Sequence, residues 1–219
     1  MSKAAVRIDE PGIGGFLHQS ESPNGDGLVL THGAGANCQA PLLRALADAF
    51  CAARFTVLRY DLPFRQLRPH GPPLRGSDKR DREGILRAIE VMKTRTSGRI
   101  FAGGHSYGGR QTTMLASERP EIAAGLLLLS YPLHPPKKPD QLRISHFGDL
   151  QTPSLFVSGS RDGFATTAEM ESALKLVPAR TQLLTVEGAG HDLMSKKNAE
   201  ELPRKIVEAF AAMFEARNQ

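Results

Sequence analysis

Residues 99–110 read Arg-Ile-Phe-Ala-Gly-Gly-His-Ser-Tyr-Gly-Gly-Arg, and the predicted fold is built outward from them. The first half is short and apolar and ends in glycine, which is typical of a buried strand. The second half contains Gly-x-Ser-x-Gly around Ser106, and the apolar run over residues 111–116 predicts a helix. Flanking glycines let strand and helix approach closely around a strained serine, so the pattern predicts a nucleophile elbow. Alone, the pentapeptide fits an ordinary turn equally well, and its context has to distinguish the two.

The chain on both sides of this stretch alternates between strands and helices. Strands are predicted at residues 28–32, 55–60, 122–131, 154–159 and 182–187, and helices at residues 41–54, 81–94, 167–177 and 198–217. Residues 1–27 predict an edge strand or hairpin, and residues 61–76 and 132–153 predict proline-rich connections. Strands that are apolar throughout indicate a mostly parallel sheet covered on both faces. The predicted fold class is therefore α/β, with a twisted, mostly parallel sheet, helices on both faces and no large cap domain.

The length and composition of the chain predict one globular domain over residues 1–219. The chain is long enough for a well-buried core but short for two full domains. Hydrophobic residues make up 40% and charged residues 23%, which argues against wholesale disorder. No apolar run approaches the length that spans a bilayer, and residues 1–7 lack the apolar core of a signal peptide. We therefore expect a cytoplasmic protein that does not bind membranes and is a monomer or homodimer.

The cysteines and histidines predict neither a disulfide framework nor a metal centre. Cys38 and Cys51 are too few for such a framework, and in a cytosolic chain two cysteines of this kind are packed free thiols. No Cys/His cluster has the spacing of metal ligands, so we expect no metal. Nothing in the sequence implies a cofactor.

The positive charge of the chain is concentrated in one region. The formal net charge is +5 and the isoelectric point is about 9.4, but residues 59–82 alone hold seven Arg or Lys residues against three aspartates. A local basic loop is not a nucleic-acid-binding fold, and we expect no nucleic-acid partner. Arg65 and Arg68, with Lys137 and Lys138, are instead candidates for substrate contacts that favour acidic or phosphate-bearing esters. A solvated charged rim is the alternative.

Three side chains with complementary chemistry follow the ends of predicted strands. Ser106 follows the strand of the elbow, Asp162 follows the strand at residues 154–159, and His191 follows the strand at residues 182–187. Ligands of parallel α/β sheets bind at this edge of the sheet. Serine needs an imidazole to take its proton and a carboxylate to hold the imidazole tautomer, so the three predict a catalytic triad. Asp149, Glu187 and Asp192 are competing acids, and each triad residue also has an ordinary turn-forming interpretation.

Acyl transfer also needs donors for a developing oxyanion. The backbone N–H groups of Tyr107, just after the serine, and of Ala34, after the His32-Gly33 pair, have the positions that the pattern requires. Tyr60 and Phe64 end or follow a strand near this edge and are candidates to line the pocket, with plain packing as the alternative. His105 is expected to point into the sheet packing.

These residues resemble the α/β-hydrolase superfamily, and the resemblance extends from Leu28 to the C-terminal helix. Leu-Thr-His-Gly-Ala-Gly-Ala at residues 30–36 and Gly-Gly-x-Ser-x-Gly-Gly-Arg at residues 103–110 are similar to a small lidless group. That group includes bacterial proteins of unassigned substrate and relatives of testis-expressed and histone-acetyltransferase-complex subunit proteins. The superfamily implies Ser106 as nucleophile, His191 as base and Asp162 as acid. In the lidless group the residues beside the serine are often arginine and methionine, whereas here they are histidine and tyrosine.

The predicted function is a serine hydrolase that cleaves small carboxylic esters through an acyl-enzyme. A catalytically idle interaction subunit with the same fold is the alternative from another class, although a scaffold has no need for all three triad residues. Dienelactone-hydrolase-like chemistry is a third hypothesis, but enzymes of that kind usually have cysteine where Ser106 stands.

Overall fold

Short apolar runs form one sheet in the computed structural model, which describes residues 5–215. The strands are β1 (Val6–Glu10), β2 (Ile13–His18), β3 (Gly27–Thr31), β4 (Thr56–Tyr60), β5 (Ile100–His105), β6 (Gly125–Leu129), β7 (Ser154–Gly159) and β8 (Thr181–Val186). Their order across the sheet is β1-β2-β4-β3-β5-β6-β7-β8. The strands from β3 to β8 pair in parallel, whereas β2 is antiparallel to β1 and β4. The mostly parallel sheet is confirmed, and residues 6–18 form the expected edge hairpin.

Amphipathic helices cover both faces of the sheet. They are α1 (Pro41–Ala52), α2 (Pro63–Leu67), α3 (Asp78–Lys93), α4 (Tyr107–Glu118), α5 (Thr167–Leu174) and α6 (Glu201–Phe214). Apolar residues of α1 and α6 pack on one face of the sheet, and those of α3, α4 and α5 pack on the other. No helix within residues 5–215 has the length and apolarity that a membrane crossing requires.

Several boundaries differ from those expected. Helix α3 begins three residues earlier than predicted, because aspartates in its first turn favour the helix N-terminus electrostatically. The connection over residues 61–76 contains α2, where Pro63 takes the first helical position. Strand β6 is shorter than predicted, and a 3-10 turn, Pro120–Ile122, precedes it. Helices α5 and α6 also end before their predicted limits, and residues 1–4 and 216–219 lie outside the described part of the chain.

The register of the parallel strands brings four loops to one edge of the sheet. Thr31 of β3 pairs with Gly104 of β5, and in the same direction β5 pairs with β6, β6 with β7 and β7 with β8. The chain leaves each of these strands at its carboxyl end. The loops after β3, β5, β7 and β8 therefore lie along the same carboxyl edge of the sheet, where ligands of open α/β sheets bind.

The half-buried His146 makes the stability of this fold sensitive to acid. Burial, together with the charges of Arg110 and Arg82, lowers the pKa of His146 to about 4, well below the value of about 6.5 that is usual for histidine, while Asp149 opposes the shift. Its Nε2 lies 2.8 Å from Thr113 Oγ1. Between these two pKa values the unfolded chain holds a proton that the folded chain does not, so the free energy of unfolding falls as the pH falls.

We expect a lower melting temperature at pH 4.5 than at pH 7, measured by circular dichroism in buffers of equal ionic strength. His146→Gln should lose less stability over this range than the wild type, by about 1 to 2 kcal/mol. This value is below the full linkage for the shift because the ring is partly exposed and solvent screens it. An unchanged acid dependence in the variant would show that His146 does not contribute to it.

Candidate active site

Ser106 occupies a strained turn between β5 and α4. Its φ of 51° and ψ of −115° lie in a region that residues with a side chain rarely adopt. Two glycines make the turn possible by letting backbone approach backbone. A Cβ on Gly104 would lie 2.8 Å from the Thr31 carbonyl oxygen, and one on Gly108 would lie 2.6 Å from the His32 carbonyl oxygen. The geometry is that of the predicted elbow.

A chain of hydrogen bonds joins Ser106 to His191 and Asp162. Ser106 Oγ lies 2.8 Å from His191 Nε2, and His191 Nδ1 lies 2.8 Å from Asp162 Oδ2 and 3.0 Å from Oδ1. The Asp162 side chain is fully buried, whereas 23% of the His191 side chain is exposed. The carboxylate can only accept, so Nδ1 carries the proton and Nε2 is free to accept from the serine hydroxyl. The structure thus brings together the three side chains that the sequence singled out.

Two residues outside the predicted set hold His191 and Asp162 in place. The centroids of the Phe164 and His191 rings lie 4.1 Å apart. The backbone N–H of Phe164 donates to Asp162 Oδ1 at 2.9 Å. Asp162 therefore both forms the turn and binds the histidine. His105 Nε2 donates to the His191 carbonyl oxygen at 2.8 Å. The Asp-Gly-Phe sequence could have indicated the contact with Phe164, since an aspartate side chain often accepts a hydrogen bond from the backbone N–H two residues later.

The loop after β3 presents the Ala34 N–H in a fixed direction. His32 Nδ1 lies 2.8 Å from the Gly33 carbonyl oxygen, which also accepts from the Ala36 N–H at 3.1 Å. His32 Nε2 accepts from the Leu62 N–H at 3.1 Å, so the ring is neutral and Nδ1 holds its proton. Burial lowers the pKa of His32 and favours this neutral form. Because a trans peptide is planar, anchoring the Gly33 oxygen points the Ala34 N–H the opposite way.

The side chain of Tyr107 is tied to a buried acid. Tyr107 Oη donates to Asp81 Oδ2 at 2.7 Å, and the Phe64 N–H donates to Asp81 Oδ1 at 3.0 Å. Asp81 is fully buried; burial raises its pKa, and the two hydrogen bonds oppose the shift. The sequence indicated Asp81 only as the first residue of a helix. Asp81 anchors the side chain of the residue whose N–H follows the serine.

Arg65 lies beneath the loop after β3 and does not face the solvent. It is 5% exposed and donates to four backbone carbonyl groups, those of Ala34 (2.9 Å), Ala36 (2.7 Å), Arg68 (3.0 Å) and Gly71 (2.9 Å). The sequence suggested a substrate contact for this residue. The structure contradicts this assignment, because every donor group of Arg65 is directed at a backbone carbonyl group of the protein itself.

The other residues suggested for substrate binding divide into buried and exposed groups. Tyr60 is fully buried in the core, and Phe64 is 4% exposed and packs edge-on against the rings of His32 and Tyr107. Both have the packing role that the sequence left open, so neither lines an open pocket. Arg68 has an exposed side chain, as do Lys137 and Lys138 in the connection after β6. All three are surface cations, and none of them lines the cavity beside the serine.

The competing acids and the thiol near the site lie apart from the hydrogen-bonded chain. Asp149, Glu187 and Asp192 are exposed, whereas the Asp162 carboxylate is buried against His191. Burial raises the pKa of the Cys38 thiol to about 12, and nearby Asp61 adds to the shift, so the thiol stays protonated. Within residues 5–215, no three His, Cys, Asp or Glu side chains are grouped as a metal ion would require.

Ser106 lies on an elbow at the edge of a parallel sheet, and hydrogen bonds link it through His191 to a buried carboxylate. This arrangement is typical of the α/β hydrolases. The chain belongs to the alpha/beta hydrolase domain family, whose model matches residues 25–217. Membership of this family supports an enzyme with hydrolase activity.

Solved structures of several hydrolases share the fold over nearly the whole chain. Dienelactone hydrolase from Anabaena variabilis is 20% identical, with 97% of each chain covered and a TM-score of 0.73. An alpha-beta serine hydrolase homologue from Coxiella burnetii is 15% identical, covering 96% of this chain and 99% of its own, with a TM-score of 0.76. Est1E from Butyrivibrio proteoclasticus with bound ferulic acid is 18% identical, covering 95% and 99%, with a TM-score of 0.74. At these identities the likeness concerns the fold alone.

Replacing Arg65 should destabilise the loop that carries Ala34. Arg65→Met removes the donors to four carbonyl groups, and we expect a loss of about 3 kcal/mol in the free energy of unfolding, measured by urea denaturation. Arg68→Met removes the same kind of side chain from an exposed position and is the matched control. A stable Arg65→Met protein with a raised KM for acidic esters alone would restore the substrate contact suggested by the sequence.

Proposed function

We propose that the protein is a serine hydrolase that cleaves carboxylic esters through an acyl-enzyme. The observation that carries the proposal is the continuous hydrogen-bonded chain from Ser106 through His191 to Asp162, with 2.8 Å between Ser106 Oγ and His191 Nε2. A nucleophile within hydrogen-bond reach of a base that a third group orients is the arrangement that acyl transfer requires.

Each step of the reaction has a group to perform it. Ser106 Oγ attacks the ester carbonyl carbon while His191 Nε2 takes the hydroxyl proton, and Asp162 stabilises the imidazolium that forms. The carbonyl oxygen becomes an oxyanion that the N–H groups of Ala34 and Tyr107 are proposed to bind. His191 then returns the proton to the departing alcohol. Water, activated in turn by His191, hydrolyses the acyl-enzyme and releases the acid.

Two features of the structure support the oxyanion assignment. Ala34 has its N–H direction set by His32, as described above, and Tyr107 begins α4, so its N–H has no carbonyl partner within that helix. Within residues 5–215, neither N–H donates to a side chain or to a loop carbonyl group. Free donors at the N-terminus of a helix favour developing negative charge.

The test is covalent labelling by a fluorophosphonate, which reacts with activated serines. We expect a single adduct in the intact-mass spectrum, mapped to Ser106 by peptide sequencing, and turnover of at least one ester in a panel of p-nitrophenyl and methyl esters. Methyl ferulate belongs in the panel because the similar Est1E was solved with ferulic acid. A folded protein that takes no adduct would overturn the proposal and favour the alternative, a catalytically idle interaction subunit.

The remaining expectations from the sequence stay predictions. They are a cytoplasmic protein without a cofactor, a small ester as partner, no nucleic-acid or membrane partner, and a monomeric or homodimeric state. The likeness to the small lidless group within the superfamily is also a proposal.

A further inference from the structure

A cavity of about 370 Å³ lies beside the serine, on the face of the sheet that α1 and α6 cover. Three of its walls are the immediate neighbours of residues in the proposed site. Gly33 precedes Ala34, His105 precedes Ser106, and Asp192 follows His191. A Cβ on Gly33 would lie 3.3 Å from the Ser106 Cβ, so Gly33 stands next to the serine side chain.

The remaining walls are apolar. The first turn of α1, with the residue before it, contributes Ala40, Leu42 and Leu43, and the loop after β8 contributes Met194. Leu43 is fully buried and Leu42 is 7% exposed, so their side chains belong to the packed core. This part of the cavity wall is therefore apolar and formed by packed side chains.

The polar atoms in the cavity wall are mostly engaged within the protein. His32 uses both ring nitrogens, one toward the Gly33 carbonyl and one toward the Leu62 N–H, and His105 uses Nε2 toward the His191 carbonyl. The remaining ring nitrogen, His105 Nδ1, lies under Gly33. A ligand in this cavity finds apolar surface to bury but few partners for hydrogen bonds.

One wall of the cavity carries a negative charge. Asp192 is exposed and is the one carboxylate among the cavity walls. Its charge opposes the approach of a second anion. Arg65, which lies beneath the loop that contributes Ala36 to the cavity, directs its donor groups at four backbone carbonyl groups and is not among the residues that line the cavity. The cavity therefore favours an uncharged group over a carboxylate or phosphate.

We propose that this cavity binds the aliphatic chain of a neutral ester whose carbonyl group lies at Ser106. The inference rests on the proposed function and specifies its substrate class. A volume of about 370 Å³ is near the lower end of the range of small-molecule sites, which suits a short or medium-length aliphatic chain. The chain can belong to the acyl group or to the alcohol, and the two give different rate profiles.

The test compares two series of esters. p-Nitrophenyl acetate, butyrate, hexanoate and octanoate lengthen the acyl group, whereas methyl, butyl and hexyl acetates lengthen the alcohol. We expect kcat/KM to rise with length in one series and then fall once the cavity is full. A flat profile in both series would overturn the proposal.

Two variants test whether the cavity causes the dependence of kcat/KM on chain length. Ala40→Leu fills it and should lower kcat/KM for the longest good substrate about tenfold relative to the acetate, whereas Met194→Ala enlarges it and should shift the optimum to a longer chain. Ala168→Leu makes the same change as the first variant on the exposed side of α5 and should leave the profile unchanged. Melting temperatures verify that each variant folds. Identical profiles for Ala40→Leu and Ala168→Leu would contradict the proposal.

Fluorophosphonate labelling separates this proposal from the one on which it rests. Equal labelling of wild type and Ala40→Leu with unaltered chain-length profiles would contradict the cavity proposal and leave the serine hydrolase intact. If the wild type takes no label, the proposed function fails first. The cavity is then tested by whether 1-hexanol raises the melting temperature of the wild type more than that of Ala40→Leu, and an equal effect on both would overturn it.

Discussion

Ser106→Ala is expected to lower kcat for ester hydrolysis about a million-fold and to abolish fluorophosphonate labelling. The substitution removes only the hydroxyl group, whose Oγ lies 2.8 Å from Nε2 of His191, the base that would take its proton. Residual hydrolysis above the rate in buffer would come from the N–H groups of Ala34 and Tyr107 acting on a bound ester. The measurement is initial rate against the best ester of the panel, with circular dichroism to establish folding. A loss of less than tenfold would mean that another residue is the nucleophile.

The same position should reveal strain in the folded protein. At φ 51° and ψ −115°, any residue with a Cβ is strained, at a cost of about 1 to 3 kcal/mol. Ser106→Gly, which is equally inactive, should therefore unfold at higher urea concentration than Ser106→Ala. The elbow would then illustrate a site whose function is maintained at the expense of stability.

A second pair of variants isolates the strain from the general effect of glycine. Lys137 has a φ of 62° in an exposed connection, a conformation whose strain is smaller. The entropy that glycine adds to the unfolded chain is similar at both positions, so it cancels when Ala-to-Gly differences are compared. The difference in unfolding free energy at position 106 should exceed that at position 137. Equal differences would show that the elbow stores no special strain.

The positions of the three site residues could be predicted because they depend on topology. Each follows the carboxyl end of a parallel strand, and the apolar runs that mark those strands are local in sequence. Once the sheet is parallel, its carboxyl ends face one edge, and Ser106, Asp162 and His191 are brought near one another. The prediction therefore did not depend on the spacing of the three residues along the chain. It needed only the order of the strands and the side chains that follow each of them.

Contacts set by loop conformation could not be predicted. The sequence predicted an exposed Arg65, in contact with substrate or solvent, because arginine is mostly exposed. Its actual partners are four carbonyl groups whose directions depend on loops that carry no periodic signal. Asp81 is similar: its pairing with Tyr107 Oη joins α3 to α4 across 26 residues. Tyr60 lies at the end of a central strand with helices on both faces, so it is buried whichever way its side chain points.

Asp162→Asn is expected to lower kcat/KM about ten thousand-fold while leaving the fold intact. Asparagine has the size of aspartate, and its Oδ1 can still accept from the Phe164 N–H, which now lies 2.9 Å from the carboxylate. Its amide group, however, donates to His191 Nδ1 where the carboxylate accepted. The proton then resides on Nε2, and the imidazole can no longer take the proton of Ser106. The loss would come from the wrong tautomer and not from a displaced side chain.

Asp192→Asn is the matched control, since Asp192 is the exposed acid adjacent to the histidine in sequence. Its kcat/KM for neutral esters should stay within a few fold of wild type, because no hydrogen bond joins its carboxylate to His191 within residues 5–215. Comparable large losses in both variants would point to the net charge of the site and not to the tautomer. A loss of less than tenfold in Asp162→Asn would leave Asp162 with only its turn-forming bond to Phe164, and His191 would then act as a base without a carboxylate to orient it.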